Sequence, residues 1–236
     1  MGWARDNGIK ALCFDIDGTF YPKWQTNVYL LESALTHPVF SMKYNMMRQR
    51  MRRLDGYEAG PLMDLEAFRA RECELMGWSG TAASYIEKYE RVLSASWDRT
   101  MRAHLRLFPG VRQALSLARS QGYRLAALSD FPISHKLEVL GLDRSLFDFV
   151  ASTEDYGHLK PNARPFLEML EKLSLSPAEA LYVGDSYKKD IVGGSKVGMH
   201  TLLIGKSGTA SDYPGADMVL TSWKSFARII LDQNME

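Results

Sequence analysis

The chain has 236 residues, of which 46% are hydrophobic, so it is long enough to bury a core without disulfide or metal staples. Its 29 basic and 28 acidic residues give a net charge of +1, which removes the general electrostatic case for a nucleic-acid or membrane-surface binder. Apolar runs never exceed four residues, whereas a bilayer span needs roughly 20. The two cysteines, Cys13 and Cys73, are too few for a disulfide framework, although a single bridge stays open. We expect a cytoplasmic protein.

The first predicted element is a short buried strand over residues 9–14, ended by the segment Asp-Ile-Asp-Gly at 15–18. The sequence pattern then changes, because residues 21–105 show apolar residues at helical spacing and few strand signals. Two apolar stripes carry this pattern: Phe40, Tyr44, Met47, Met51 and Leu54, and then Ala82, Ile86, Tyr89, Leu93 and Trp97. We therefore predict a helical insertion of 85 residues directly after the first strand.

From residue 108 onward the pattern alternates between strands and helices. Strands are predicted at 123–129, 147–152, 180–183, 200–204 and 218–220, and helices at 110–118, 132–140, 165–173, 188–197 and from about 223. Such alternation favours a parallel sheet covered by helices on both faces. The predicted fold class is thus α/β, with a Rossmann-like three-layer core of residues 1–20 and 106–236 and an inserted α-helical cap domain at 21–105.

Polar and charged side chains follow several of these strands. They are Asp15 and Asp17 after the first strand, Ser129 and Asp130 after the second, Lys160 in the loop beyond the third, and Asp185 and Asp190 after the fourth. Sites in open parallel sheets form at the carboxyl ends of the strands, so one edge of the sheet should collect these groups.

Several carboxylates at one edge must repel each other. Two like charges about 4 Å apart cost roughly 4 kcal/mol at an effective dielectric near 20, and a divalent cation or a raised pKa must relieve that cost. Oxygen-only ligands favour a hard ion such as Mg²⁺, which typically uses carboxylates, waters and substrate phosphate.

The same groups suggest phosphoryl chemistry. A carboxylate can attack phosphorus to form an aspartyl-phosphate, and a second carboxyl group two residues away can move the proton. A hydroxyl and a lysine can stabilise charge on the phosphoryl oxygens. Gly18 allows a tight turn, which brings backbone amides close to a phosphate.

In their order along the chain, these residues resemble the four motifs of the haloacid dehalogenase-like hydrolase superfamily. The matching positions are Asp15-x-Asp17-Gly18-Thr19, Ser129, Lys160, and Gly184-Asp185-x₄-Asp190. The first and fourth motifs are the specific ones, and the helical insertion lies where this superfamily places its first type of cap. The resemblance extends to phosphatases that act on small phosphorylated metabolites.

The resemblance implies a role for each matching acidic residue. Asp15 would be the nucleophile and a magnesium ligand, and Asp17 would be the general acid/base and lend its backbone carbonyl to the metal. Asp185 would be the second carboxylate on the metal. Asp190 would support the metal shell or orient Lys160, although as a helix-capping residue it has a purely structural alternative.

The phosphate-binding groups follow in the same way. Ser129 would hold the phosphoryl oxygens and Lys160 would neutralise charge near Asp15 and the phosphate. Gly18, Thr19 and Asp130 complete the implied phosphate site. Asp130 stands where many members have asparagine, and an extra carboxylate beside a phosphate is unfavourable unless it points away; a structural role is the favoured interpretation.

The stretch from Met42 to Arg53 contains five basic residues and no acidic one. They are Lys43, Arg48, Arg50, Arg52 and Arg53. We favour a solvated face opposite the apolar stripe. The alternative is that one or two of these arginines lean over the site and meet an anionic substrate.

The resulting hypothesis is a Mg²⁺-dependent phosphatase that hydrolyses a small phosphorylated metabolite through an aspartyl-phosphate. One alternative is a phosphomutase of the β-phosphoglucomutase type, which would share the intermediate but release isomerised sugar phosphate. The other is a non-catalytic phospho-ligand-binding or signalling module, which would bind without releasing phosphate. The sequence does not predict the oligomeric state or the leaving group.

Overall fold

The computed structural model describes residues 2–133 and 135–233. Its centre is a sheet of six parallel strands in the order β3-β2-β1-β4-β5-β6. The strands are β1 (Ala11–Phe14), β2 (Arg124–Ser129), β3 (Phe149–Ser152), β4 (Ala180–Gly184), β5 (His200–Ile204) and β6 (Met218–Leu220). The prediction of an α/β, Rossmann-like core is therefore confirmed.

Strand β1 lies in the middle of the sheet because both of its faces are apolar. It pairs in parallel with β2 on one side and β4 on the other, and all four of its residues are buried. Leu12 and Phe14 face one apolar cluster, while Ala11 and Cys13 face the other. A strand covered on both faces reads as a continuous hydrophobic run, which is the signal seen in the sequence.

Helices cover both faces of this sheet. Among the described residues they are α1 (Trp3–Asp6), α7 (Val111–Ser120), α8 (Lys136–Val139), α9 (Ala163–Lys172), α10 (Val192–Lys196) and α11 (Trp223–Ile230). Helices α7 and α11 pack on the face of Leu12, and α9 packs on the face of Cys13. These layers place the carboxyl ends of β1, β2 and β4 side by side at one edge.

Five further helices lie between β1 and α7. They are α2 (Lys23–Thr36), α3 (Pro38–Asp55), α4 (Leu65–Leu75), α5 (Ala82–Tyr89) and α6 (Ala95–His104), and a π-helical segment, Glu90–Ser94, joins α5 to α6. We call residues 21–105 the helical segment. Its predicted α3 stripe is buried from Phe40 to Met51, but the prediction is wrong for Leu54, which is 61% exposed. In the described part of the chain, no helix has the length and apolarity needed to cross a membrane.

Two predicted helices differ in the structure. The helix predicted at 132–140 is reduced to α8, whereas the one predicted at 188–197 is helical over nearly that length but begins as a π-helical turn, Tyr187–Ile191, before α10. Both cysteines are buried, unpaired thiols, as expected, and burial raises the pKa of Cys13.

Candidate active site

The carboxyl ends of three neighbouring strands form the floor of a cavity of about 200 Å³. Asp15 follows β1, Ser129 ends β2, and Asp185 follows β4. The wall opposite comes from the helical segment. Among the residues that line the cavity are Asp15, Asp17, Lys23, Asn45, Arg48, Gln49, Arg52, Asp130, Lys160, Asp185, Lys189 and Asp190. The structure thus brings together acidic and basic residues that are as many as 175 positions apart, as 15 and 190 are.

Asp15 and Lys160 form a buried ion pair in this floor. The Lys160 Nζ atom donates to Asp15 Oδ1 at 2.6 Å and to Asp190 Oδ1 at 2.8 Å. Thr19 Oγ1 donates to the second Asp15 oxygen at 3.2 Å. Burial lowers the pKa of Lys160, but the carboxylates of Asp15 and Asp190 outweigh it and raise that pKa well above its ordinary value, so the lysine is cationic.

Three carboxylates around Lys160 lie close enough to share one cation. Single oxygens of Asp15, Asp185 and Asp190 all lie within 4.8 Å of one another. Burial, partly offset by Lys160 and reinforced by Asp190 and Asp17, raises the pKa of Asp15 to about 6. Burial and the Asp15 charge likewise raise the pKa of Asp185. This arrangement of hard oxygen donors with excess negative charge fits a divalent metal ion.

Gly18 is required where the chain turns beneath this cluster. Its φ is +97°, in the left-handed region, and a Cβ built there would lie 2.7 Å from the carboxyl carbon of Asp185. Any other residue would meet both backbone strain and a clash with a proposed metal ligand. The glycine therefore allows Asp185 to approach β1.

Asp17 points to a different group of partners. Its Oδ2 atom accepts hydrogen bonds from Ser129 Oγ at 2.6 Å and Lys136 Nζ at 2.6 Å, and its Oδ1 atom accepts from the Tyr21 hydroxyl. Burial raises the pKa of Asp17, but the Lys136 ammonium and these hydrogen bonds outweigh it and lower that pKa below its usual value. Asp17 therefore stays ionised to lower pH than Asp15, which takes up a proton near pH 6.

Asp130 is held in place by four donors. Lys160 N and Thr153 Oγ1 donate to Oδ1 at 3.0 and 3.2 Å, Arg52 Nη2 donates to Oδ2 at 2.8 Å, and Lys189 Nζ lies 3.4 Å from that oxygen. Burial raises the pKa of Asp130, but these cations, Arg52 foremost, hold it well below its usual range. The contacts favour the structural interpretation of this carboxylate.

The five basic residues of α3 divide between a solvated face and contact with the site. Lys43, Arg50 and Arg53 are exposed, as a solvated face requires, whereas Arg48 and Arg52 line the cavity. Arg48 Nη2 donates to the backbone oxygen of Asp130 at 2.5 Å, and its Nη1 donates to Glu154. Two of the five basic residues thus lean over the site.

Sequence reasoning missed Lys136, whose side chain is 0% exposed. Its ammonium lies 4.5 Å from the centroid of the Trp97 ring in α6, so it contacts both the core and the helical segment. A signal was available, because Ile133, Lys136 and Leu140 recur at helical spacing and place the lysine on the buried side. Such a lysine in an apolar stripe needs a buried carboxylate as partner.

Other missed residues are Tyr182 and Lys189. The Tyr182 hydroxyl accepts from Lys160 Nζ and donates to the backbone oxygen of Leu128, both at 3.1 Å. It lies in mid-strand, where an aromatic residue predicts packing alone. His158, which lies two residues before Lys160, is buried, with its ring nitrogens near Asp55 Oδ2 at 3.1 Å and the Pro61 oxygen at 2.9 Å.

Comparison with known proteins agrees with this architecture. The family model for haloacid dehalogenase-like hydrolases matches residues 12–204. A glyceraldehyde 3-phosphate phosphatase from Methanopyrus kandleri is 29% identical over 214 residues, covering 83% of this chain and 84% of the relative. A phosphoglycolate phosphatase from Nitrosospira multiformis is 28% identical over 188 residues, covering 75% of each chain.

Among solved structures, a haloacid dehalogenase-family phosphatase from Thermococcus onnurineus matches with a TM-score of 0.60 at 23% identity. The match covers 96% of this chain and 100% of that one, and it shows a shared fold. The resemblance identified from the four motifs is therefore confirmed.

Proposed function

This chain belongs to the haloacid dehalogenase-like hydrolases, and we propose that it hydrolyses a small phosphorylated metabolite with Mg²⁺ through an aspartyl-phosphate. The enzyme class, a phosphoric monoester hydrolase, is confirmed by the named phosphatases that match three-quarters or more of the chain. The finer proposal rests on one observation: Asp15 lies in the cavity floor with Lys160 on one oxygen and the Asp185–Asp190 cluster beside it.

Asp15 is the proposed nucleophile. Its carboxylate oxygen forms a bond to phosphorus while the bond from phosphorus to the leaving oxygen breaks. Lys160 holds the attacking group in one orientation, and its charge offsets that of the incoming phosphoryl group. Water then attacks the aspartyl-phosphate, which releases inorganic phosphate and restores the carboxylate.

Asp17 is the proposed proton carrier. Ionised and held by Lys136 and Ser129, it is suited to accept the proton of the attacking water in the second step. That proton makes Asp17 the acid for the leaving oxygen of the next cycle. Ser129 is proposed to act partly through Asp17, since its hydroxyl donates to that carboxylate.

The proposed metal site consists of Asp15, Asp185 and the backbone carbonyl of Asp17, with Asp190 supporting Lys160 and the ligands. When bound, Mg²⁺ would offset the excess negative charge of the cluster and polarise the phosphoryl oxygens. Gly18 and Thr19 are proposed to keep this floor open to phosphate, Gly18 by its turn and Thr19 by its bond to Asp15.

The domain division also remains a proposal. We propose that residues 21–105 act as a cap over a core of residues 1–20 and 106–236. The cavity between α2, α3 and the strand ends supports this division. Its floor carries the proposed catalytic residues, and its opposite wall, which comes from residues 21–105, can contact the leaving group. At about 200 Å³ it is smaller than the roughly 300–1,000 Å³ typical of drug-sized ligands, which favours a metabolite of a few carbons.

The test is phosphate release from a panel of phosphorylated metabolites, with Mg²⁺ and with EDTA. We expect Asp15→Asn to fold and to abolish release, while Asp6→Asn, at an exposed position in α1, keeps wild-type rates. Normal turnover by Asp15→Asn would exclude the nucleophile assignment. An isomerised sugar phosphate without free phosphate would support the mutase instead, and Mg²⁺-dependent binding without release would support a binding module.

A further inference from the structure

Two cations from different parts of the fold share the carboxylate of Asp130. Arg52 comes from α3 and Lys189 from the π-helical turn after β4, and both contact Asp130 Oδ2. Their side chains are 20% and 32% exposed, and both line the same cavity as Asp15. They are therefore positioned to contact a molecule whose phosphoryl group lies on Asp15.

The donors of this pair exceed its acceptors. Arg52 Nε donates to the Lys160 backbone oxygen at 3.2 Å, Nη1 donates to the Arg48 backbone oxygen at 3.5 Å and Nη2 donates to Asp130, whereas an arginine carries five N–H groups. In the chain as described, the one carboxylate within 4 Å of Lys189 is that of Asp130, and an ammonium has three N–H groups. Two positive charges against one negative charge leave a surplus of positive charge around Asp130.

Arg48 does not share in this surplus. It is buried, and its Nη1 atom faces Glu154 as well as Glu72, the latter at 3.5 Å. Arg69 closes the same cluster, with its two terminal nitrogens 2.5 Å from Glu72 and 2.6 Å from Glu154. The charges of two arginines and two glutamates therefore cancel, so the surplus positive charge comes from Arg52 and Lys189.

The same cavity also holds the carboxylates of Asp15, Asp185 and Asp190, and these outnumber the two cations paired with them, Lys160 and Lys23. A metal ion and the phosphoryl group belong there. The small volume leaves room for only a short chain between the phosphoryl group and these two cations, and a carboxylate is a small anionic group whose two oxygens can accept from both. A second phosphate would add far more bulk.

On the basis of the proposed function, we propose that Arg52 and Lys189 bind a carboxylate on the leaving group, so that the substrate is a small phosphorylated carboxylic acid. A neutral aldehyde or alcohol in the same place would leave the surplus charge uncompensated. Arg52 and Lys189 are thus specificity-determining residues, and Asp130 holds them in place without ligand.

The test compares two esters that differ in one group. 3-Phosphoglycerate carries a carboxylate where glyceraldehyde 3-phosphate carries an aldehyde. For the wild type we expect kcat/KM to favour the acid about tenfold to a hundredfold, as for a lost hydrogen bond to a charged group. Arg52→Met should bring this ratio close to one, mostly by raising KM for the acid, and Lys189→Met should lower it less.

A second variant changes the ratio in the opposite direction. Asp130→Asn keeps an oxygen for Lys160 N–H and Thr153 but removes the charge that competes for Arg52 and Lys189. We expect it to raise the preference for the acid by several fold. Arg50→Met is the matched control, because Arg50 is an exposed arginine on the same helix, and its ratio should equal that of the wild type.

Each outcome decides between the proposals. A wild-type ratio near one, or an Arg52→Met variant that loses both esters equally, overturns the carboxylate subsite, since equal loss means contact with the phosphoryl group. Release of phosphate from p-nitrophenyl phosphate but from neither ester also overturns it. Failure to release phosphate from any of the three compounds overturns the proposed function itself.

Discussion

Asp15 and Asp17 are two residues apart, yet each faces its own buried lysine in a different environment. Around Asp15, Lys160 is surrounded by acidic groups, and the pKa of Asp15 rises to about 6. Around Asp17, Lys136 meets one carboxylate, a hydroxyl and two aromatic rings, and the pKa of Asp17 falls. We call these surroundings the Asp15 half and the Asp17 half.

The two environments suit Asp15 and Asp17, which lie in one tripeptide, to different chemical tasks. The Asp15 half has more negative charge than its lysine can offset, so it is suited to bind a cation and an electrophile. The Asp17 half is balanced without any ligand, and its ionised carboxylate is suited to proton transfer. Environments that push the pKa values of paired acids apart are the usual sign of divided chemical roles.

The largest expected effect comes from breaking the Asp15 half. Lys160→Met should lower kcat on the order of 10³-fold, because it removes both the charge and the hydrogen bond that orient Asp15. The loss should be the same for an alkyl and an aryl phosphate, since nucleophilic attack serves both. Steady-state rates with glyceraldehyde 3-phosphate and p-nitrophenyl phosphate measure this. A loss restricted to the alkyl ester would assign Lys160 to leaving-group protonation instead.

Breaking the Asp17 half should have a different kinetic signature. Lys136→Met removes the cation that keeps Asp17 ionised, so the variant lacks a base for the attacking water while the first step survives. We expect kcat on the order of 10² lower, with a burst of p-nitrophenol equal to the enzyme concentration.

Rapid-mixing absorbance measurements detect the burst, and Lys172→Met, an exposed lysine in α9, is the control for the substitution itself. If both steps slow equally and no burst occurs, Lys136 has no specific role in the second step.

The two halves also differ in how far the sequence predicted them. Asp15, Lys160 and Asp190 follow from strand ends, because parallel strands bring their carboxyl ends to one edge whatever the details of packing. Lys136 does not, because its function depends on a contact made by tertiary packing and on a ring from the helical segment.

Packing also explains the errors in the helices. Leu54 continues the α3 period, but it lies in the last turn of the helix, beyond the layer that covers Met51. Periodicity shows which face an apolar residue shares, whereas only the fold decides where along a helix the covering layer stops.

Metal affinity should depend on the carboxylates of the Asp15 half far more than on the side chain of Asp17, which is proposed to offer the metal only its backbone carbonyl. Asp190→Asn removes a charge that supports Lys160 and the carboxylate cluster, and we expect the Mg²⁺ concentration for half-maximal activity to rise tenfold to a hundredfold. Lys136→Met should leave that concentration within about twofold of the wild-type value, because Lys136 pairs with the Asp17 side chain and not with the clustered carboxylates. Mg²⁺ activation curves of both variants make the comparison. Equal shifts in the two variants would mean that the halves are one coupled site.

The smallest expected effects are on stability, and here the halves should differ in sign. The folded-state pKa of Asp15 lies above its usual value of 3.8, so its ionisation opposes folding at pH values above about 6. Asp15→Asn should therefore stabilise the metal-free protein at pH 7.5 by roughly 3 kcal/mol, because each unit of the rise in pKa corresponds to about 1.4 kcal/mol. At pH 4 most of this gain should be lost, because the folded-state carboxyl is protonated and about half of the unfolded-state carboxyls are protonated as well.

Asp17 has a lowered pKa, so its ionised form stabilises the fold at pH values above its unfolded pKa and loses that contribution in acid. Asp17→Asn should accordingly destabilise the protein at pH 7.5 by about 1–3 kcal/mol, because Lys136 is left buried without a charged partner. Urea unfolding in EDTA at pH 4 and 7.5 measures both variants. If the two substitutions change stability in the same direction at pH 7.5, the Asp15 half does not carry excess negative charge while the Asp17 half is balanced. The reason for assigning metal binding to one carboxylate and proton transfer to the other would then be lost.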